Sequence, residues 1–254
     1  MCGVRDSSDV RALEVDGLIS KLSDRVTRQA GSRVLVGVDG PDAAGKTILA
    51  DALAERLPGS VLRASIDGFH QPREHRLRRG ALSPEGYYHD SFDYGALSRL
   101  LLEPFRSGER EVVVRAFDVR RDTGVPAEPA LVEDCAVLVF DGVFLLRPEL
   151  CALWDLRIYL HVAEDVTLAR ARQRDLDLFG SEADIELRYR ERYLPGQALY
   201  RDEADPAAAA DVVIDNTEPA APVVLRGLNP ETATQSDVPL HGPCGEAGSA
   251  GLDA

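Results

Sequence analysis

Gly40-Pro41-Asp42-Ala43-Ala44-Gly45-Lys46-Thr47 is the stretch on which the reading of this 254-residue chain turns. It matches G-x-x-x-x-G-K-[ST], a loop that holds phosphate with its own backbone. Gly40 and Gly45 let the chain turn so that successive N–H groups face one anion at the positive end of a helix. Lys46 adds a mobile cation for β- and γ-phosphates, and the Thr47 hydroxyl suits a Mg²⁺ ligand. The flanks agree. Arg33 to Asp39 has the length and apolar content of a buried strand, and Thr47 to Leu57 has the spacing of an amphipathic helix. Strand, glycine loop and helix in that order predict a nucleoside triphosphate site over residues 40–47.

The rest of the chain bounds what such a site can serve. Its length allows one large α/β domain or at most two small ones. A formal net charge of −14 weighs against a general nucleic-acid binder and against adhesion to an anionic membrane, so an anion site here rests on local cations. Cys2, Cys135, Cys151 and Cys244 contain no C-x-x-C pair and no His cluster accompanies them. Reduced thiols are expected, with neither a disulfide frame nor a zinc site. No apolar signal region opens the sequence and no run has the length of a membrane span, which predicts a soluble cytoplasmic protein.

Working outward, Val10, Leu13, Leu18, Leu22 and Val26 predict a helix over 9–30, so that residues 1–32 form a helical lead-in. Strands are predicted at Val61–Ile66, at Val112–Phe117 in a small hairpin with a partner near 125–133, and at Ala136–Phe140, Leu156–Val162 and Asp211–Ile214. Asp93 is placed to cap a helix ending near Gly108, and further helices are predicted over 164–178 and 182–193. Residues 33–219 therefore read as a P-loop NTPase-type α/β domain: a doubly wound, mainly parallel sheet flanked by helices, with ligands at the strand C-terminal ends. From residue 220 the composition turns to Pro, Gly, Ser and Thr, and 220–254 is expected to be a disordered tail.

Phosphoryl transfer needs a metal-side acid, a group to orient the acceptor and cations for the moving phosphoryl. Asp141 closes the apolar run Val137 to Phe140 and is the metal-side candidate beside Thr47; an ordinary turn-capping Asp is the alternative. Asp67 ends the preceding strand before Gly68, where it either accepts a proton from an alcohol, helps to hold the metal, or merely makes a turn. His70 and His75 are rival bases or solvated side chains. Arg73, Arg76, Arg78 and Arg79 form a basic island that either holds phosphate or is a solvated face. Arg170 and Arg174 share a helix face, suited to neutralising a phosphoryl group or to pairing with nearby aspartates. Tyr87, Tyr88, Phe92 and Phe117 either stack on an aromatic substrate or fill the core.

The ordered set resembles the uridine kinase family, within the P-loop kinases that include phosphoribulokinase, bacterial pantothenate kinase and nicotinamide riboside kinase. The resemblance runs from about Arg33 to Pro219 and rests on six segments. These are Val38 to Thr47, Asp67-Gly68-Phe69-His70, Ser91-Phe92-Asp93-Tyr94, Val139 to Gly142, Arg170 to Asp175 and Ala210 to Ile214. It implies that Asp67 activates the acceptor hydroxyl, Asp93 holds ribose hydroxyls, Asp141 serves the metal and Arg174 serves the lid. It also implies ATP with Mg²⁺, a small-molecule alcohol as acceptor and self-association into a homo-oligomer.

Two departures bear on the acceptor. The segment Ala116-Phe117-Asp118-Val119-Arg120-Arg121-Asp122 lacks the histidine that pyrimidine-reading members carry, and Phe117 lacks the hydroxyl of the usual tyrosine. Gly180 follows Phe179 where the lid of the family carries an arginine. The expected activity is transfer of the γ-phosphoryl group of ATP to a nucleoside 5′-hydroxyl. Catalysis falls to Asp67, Lys46 and Arg174, and acceptor binding to Asp93, Phe117, His70 and Arg73. The alternatives are pantothenate, a sugar phosphate or nicotinamide riboside as acceptor, or slow regulatory ATP hydrolysis.

Overall fold

Alternation along two apolar runs decides the architecture. Val34, Val36 and Val38 bury into one core cluster while Leu35 enters another, and Val137 and Val139 separate from Leu138 and Phe140 in the same way. Strands that are apolar on both faces are stable only inside a sheet covered by helices on both sides. The computed structural model, which describes residues 11–12, 14–29, 32–126 and 128–228, has that arrangement.

In chain order the elements are β1 (Arg11–Ala12), α1 (Val15–Thr27), β2 (Val34–Asp39), α2 (Lys46–Arg56) and β3 (Ser60–Ser65). A 3-10 turn, Ile66–Phe69, leads to α3 (Arg73–Arg76), α4 (Pro84–Asp90) and α5 (Tyr94–Leu97), which a π-helical turn joins to α6 (Glu103–Ser107). Strands β4 (Glu111–Val113), β5 (Phe117–Asp118), β6 (Thr123–Gly124) and β7 (Pro129–Leu131) make two small hairpins, β4 with β7 and β5 with β6. Then come β8 (Ala136–Gly142), α7 (Pro148–Cys151), β9 (Leu156–His161), α8 (Glu164–Arg174), α9 (Leu176–Phe179) and α10 (Glu182–Arg188). A second π-helical turn continues into α11 (Leu194–Ala204), and α12 (Pro206–Ala209), β10 (Val212–Asp215) and β11 (Val223–Arg226) complete the described chain.

The main sheet runs β1-β11-β10-β9-β2-β8-β3. From β10 to β3 all neighbours are parallel, and β11 and β1 add antiparallel strands at one edge. The doubly wound, mainly parallel sheet predicted from the sequence is the fold. Strand β2 is central, so the glycine loop leaves the sheet at its middle, with β8 and β9 on either side.

Several boundaries differ from the sequence reading. The helix predicted from residue 9 starts at Val15, because Arg11 and Ala12 pair with Val224 and Val223 instead. Residues 1–10 lie outside the described chain. Part of the stretch expected to be a tail from residue 220 is a strand: β11 pairs with β10 and covers what would otherwise be an open sheet edge. Residues 229–254 lie outside the described chain. The strand predicted over 112–117 breaks into β4 and β5, each with its own partner. The helix predicted over 182–193 runs on to Ala204, and the one over 164–178 stops at Arg174. Cys151 is a free thiol, whereas Cys135 is disulfide-bonded, contrary to the reduced state expected for all four cysteines. Among the described residues no helix is long and apolar enough to cross a membrane.

One close approach beneath the site is unforgiving. Trp154 stacks on Phe140 at 5.5 Å, and its indole N–H donates to the Leu145 carbonyl at 2.8 Å. A Cβ on Gly37 would lie 2.8 Å from the indole Cδ2. Gly37→Ala is therefore expected to destabilise the protein by about 1–3 kcal/mol, as overpacking does. A denaturant midpoint equal to that of the unmodified chain would contradict this account.

Candidate active site

The phosphate loop departs from β2 and re-enters the chain as α2. Ala43 and Gly45 adopt left-handed conformations, with φ of 56° and 92°, which turns successive amides toward one point. Gly45 is the residue before α2, no side chain caps that helix, and its first turn holds no acid. Its leading N–H groups are thus left for an anion. Lys46 folds back across the loop and its Nζ donates to the Pro41 carbonyl at 2.6 Å. Burial lowers the Lys46 pKa, and the carboxylates of Asp42, Asp39, Asp141 and Asp67 oppose that shift. Four acids therefore converge on one ammonium.

Thr47 Oγ1 donates to Asp141 Oδ2 at 2.7 Å, so the two residues predicted to serve a metal are brought together. Register explains it: Asp141 lies opposite Val38 on β2 and Ser65 on β3, at the rim where the loop starts. A guanidinium the sequence reading passed over completes the group. Arg63 Nη2 donates to Asp141 Oδ1 at 2.9 Å and pairs with Asp51 at 2.8 Å. Among the described residues no cluster of three or more His, Cys, Asp or Glu side chains gathers to hold a metal. The Thr47–Asp141 pair offers the one or two protein oxygens that Mg²⁺ takes, its shell otherwise being phosphates and water.

Opposite the loop, two chain segments are strapped together. Asp93 N–H donates to the Phe69 carbonyl at 2.7 Å and Gln71 N–H to the Ser91 carbonyl at 2.9 Å. Asp67 is exposed on the 3-10 turn, and its charge acts on both Lys46 and His70. Asp93 Oδ1 caps α5 by accepting from Ala96 N–H at 2.8 Å, as the sequence predicted. His70 packs on Phe92, with ring centroids 4.6 Å apart, and its Nδ1 lies 3.1 Å from the Asp67 carbonyl oxygen. A carbonyl only accepts, so Nδ1 carries the hydrogen; burial lowers the His70 pKa, and the neutral ring leaves Nε2 as an acceptor. Phe117 is buried on β5, which Ala116 N–H ties to the Gly68 carbonyl at 2.9 Å.

The predicted cations are largely committed elsewhere. Arg78 and Arg79 both bond to the buried Asp90, at 2.6 and 2.7 Å. Arg76 pairs with Asp122 at 3.2 Å, and Arg73 offers Asp122 its backbone N–H while its side chain is exposed. Arg174 is held bidentate on Asp175, at 2.6 and 3.0 Å, with Tyr189 alongside. Arg170 donates to the carbonyls of Ala43, Asn216 and Thr217 and so clamps the phosphate loop to the segment after β10.

Two carboxylates in and under the loop have structural duties that the sequence did not reveal. Asp42 accepts from Tyr87 Oη at 2.7 Å and from Gln197 Nε2 at 3.4 Å. Tyr87 is thus core and loop support rather than a free stacking surface. Asp39 has no exposure; it accepts from Gly40 N–H at 2.6 Å, Leu146 N–H at 3.2 Å and the Tyr200 hydroxyl. The signal available for Asp39 was an acid closing an apolar run; nothing in sequence linked it to Tyr200.

The model of the Phosphoribulokinase / Uridine kinase family matches residues 35–188. The chain belongs to this family. A uridine kinase of Bacillus cereus (strain AH187) is 27% identical over 158 residues, covering 59% of this chain and 71% of that protein. A solved structure from Bacillus stearothermophilus, described as a possible uridine kinase, is 23% identical with a TM-score of 0.62, covering 79% of this chain and 99% of its own. That likeness speaks for the fold alone. A structure from Silicibacter sp. TM1040, described provisionally as a fructose transport system kinase, is 27% identical with a TM-score of 0.58, covering 78% and 95%. As a P-loop kinase of this family the chain is a phosphotransferase that uses ATP on a small molecule.

Burial raises the Asp39 pKa to about 6 against the pull of Tyr200, Gly40, Lys46 and Leu146. The folded state holds this proton more tightly than the unfolded chain does. Its contribution to stability is complete below about pH 4 and is lost as pH rises through about 6, roughly 3 kcal/mol in all. Asp39→Asn is expected to flatten that part of the stability profile, measured by denaturant unfolding across pH 4–7. An unchanged profile would remove Asp39 as its source.

Proposed function

We propose that this kinase transfers the γ-phosphoryl group of ATP, with Mg²⁺, to a hydroxyl of a neutral polyhydroxylated small molecule, and that a nucleoside 5′-hydroxyl fits best. What supports this reading is the strap that joins the turn at Asp67 to the segment carrying Asp93, together with the Asp67 charge felt at Lys46. Asp67 accepts the proton of the attacking hydroxyl. Asp93 keeps Oδ2 for a neighbouring hydroxyl, since Oδ1 caps α5. His70 Nε2 accepts from another, and Phe117 borders the same turn.

On the donor side the loop amides and Lys46 hold the β- and γ-phosphates. Thr47 and Asp141 are the residues that would support Mg²⁺, which supplies charge neutralisation between donor phosphates. Positioning and charge stabilisation account for most of such catalysis, so the fixed geometry matters more than any single strong base.

Neutrality of the acceptor is supported by the fate of the arginine island. Arg76, Arg78 and Arg79 are paired with Asp122 and Asp90, which leaves little attraction for a sugar phosphate. The Bacillus cereus relative, described as a uridine kinase, favours a nucleoside. The Phe117 segment, which lacks a histidine, leaves a sugar or another uncharged alcohol as the second reading.

Purified Asp67→Asn protein is expected to lose about 10²–10⁴-fold in kcat on its best acceptor while the ATP KM stays within about threefold. Near-normal turnover would take Asp67 out of the catalytic role. An ATP-consumption screen across nucleosides, free sugars, vitamins and sugar phosphates, with Lys46→Ala as the blank, names the acceptor. Consumption that no alcohol accelerates would instead mark a slow ATPase.

A further inference from the structure

Behind the site, in the segment that joins β8 to α7, lies a buried guanidinium that neither the donor side nor the acceptor side uses. Arg147 is 5% exposed. Its Cζ stands 4.9 Å from the ring centroid of Tyr88 in α4 and 4.2 Å from that of Tyr94 in α5. Nε and Nη2 donate to the two carboxylate oxygens of Glu149, at 2.9 and 3.1 Å, and Nη1 donates to the Tyr88 carbonyl at 3.4 Å. An aliphatic side chain would fill the same gap without the cost of taking a charge out of water. The planar fork adds direction. It stacks on rings and takes a carboxylate along its edge, so the angle between α4 and α5 is fixed as well as their separation.

The segment that carries Arg147 is strained and tied to the donor side. Phe144 has a φ of 65°, a left-handed conformation that bulky side chains rarely adopt. The rings of Tyr87, Tyr88 and Tyr200 pack on it at 4.9, 5.1 and 5.1 Å and hold it there. The chain then brings Leu146 N–H to Asp39 beneath the phosphate loop, at 3.2 Å. Arg147 is the next residue. On its other side, Tyr94 follows Asp93 directly and opens α5. Asp93 is bonded through its N–H to Phe69 and through Oδ1 to Ala96 N–H, so it moves with α5. The Tyr94 ring continues to Phe92 at 6.1 Å, and Phe92 to His70 at 4.6 Å. One guanidinium thus stands between the floor of the phosphate loop and the segment that carries Asp93.

We propose that Arg147 is a positioning residue that sets the two halves of the site against each other: stacked on Tyr94, it holds Asp93 in register with the phosphate loop. This rests on the acceptor reading above, in which Asp93 holds a hydroxyl. Losing Arg147 loosens the acceptor half and leaves the donor half in place. Leu146 reaches Asp39 through its backbone N–H, and the Tyr200 hydroxyl bonds to Asp39 independently.

Arg147→Met keeps an unbranched stem and removes the charge. The Glu149 side chain is 59% exposed, so the variant leaves no buried carboxylate unpaired and is expected to fold. Hydrogen exchange of the full chain, followed by mass spectrometry, needs no acceptor. Amides of residues 69–71 and 91–97 should exchange about tenfold faster or more in Arg147→Met, while those of α2 keep their rates. Tyr94→Leu should behave in the same way, and Tyr94→Phe, which keeps the ring, should match the unmodified chain. Steady-state kinetics with uridine as acceptor supply the second readout. The uridine KM should rise about tenfold or more in Arg147→Met while the ATP KM stays within about threefold. Asp93→Ala should raise the uridine KM as well, and adding Arg147→Met to it should change little further, because the residue being positioned is gone. Exchange that quickens equally in α2 and in residues 91–97 marks a general loss of stability and overturns the proposal. An ATP KM that rises with the uridine KM, or full additivity in the double variant, overturns it too. If Asp93→Ala leaves the uridine KM unaltered, or uridine is not phosphorylated, the acceptor reading falls; exchange alone then decides whether Arg147 fixes residues 91–97.

Discussion

A carboxylate with no access to water organises the phosphate loop. Burying an ion is costly unless donors surround it, and Asp39 finds them on Gly40, on Leu146 after β8 and on Tyr200 of α11. Satisfying that one group joins the floor of the loop to two segments more than a hundred residues away along the chain. The same helix presses its Gly196 against Tyr87 of α4, and Tyr87 in turn bonds to Asp42. The loop is therefore held from beneath by Asp39 and from the side by Asp42, and α11 takes part in both. A shift of α11 would be felt at once where phosphate binds.

An acidic chain that must hold a polyanion has few cations to spare. This one spends its arginines on architecture: Arg78 and Arg79 on Asp90, Arg157 on Asp211, Arg174 on Asp175, Arg63 on Asp141. What faces the phosphates is Lys46 and a row of backbone amides, whose positions are set by the loop's left-handed residues rather than by flexible side chains. Such preorganised dipoles need no rearrangement when charge develops on a transferring group. Arg174, tied to Asp175 and Tyr189, contributes to the shape of the lid helices in this conformation.

Legibility followed the range of the physics. The loop, its flanking strand and helix, and the parallel sheet were readable because each depends on residues close together in sequence: glycine spacing, apolar periodicity, a capping Asp93. Thr47 and Asp141 meet across 94 positions because the loop that follows β2 and the end of β8 lie at one rim of the sheet. The basic island stayed open between a phosphate site and a solvated face. Charge runs say nothing about partners, and Asp90 and Asp122 reach those arginines only once α3 and α4 have folded. Likewise β11 was hidden in a stretch rich in proline and small residues, since its pairing is dictated by the bare edge of β10.

The sequence by itself determined that this chain builds a phosphate-binding loop at the head of a parallel sheet. Eight residues between a strand and a helix suffice, because the loop's conformation and its N–H groups are local properties of glycine, alanine and lysine. Tertiary structure alone decided which charges are free to meet a ligand. Burial and pairing are set by which segments the sheet brings together, and no spacing along the chain encodes that Tyr200 closes on Asp39, that Arg63 meets Asp141, or that Arg147 stacks on Tyr94.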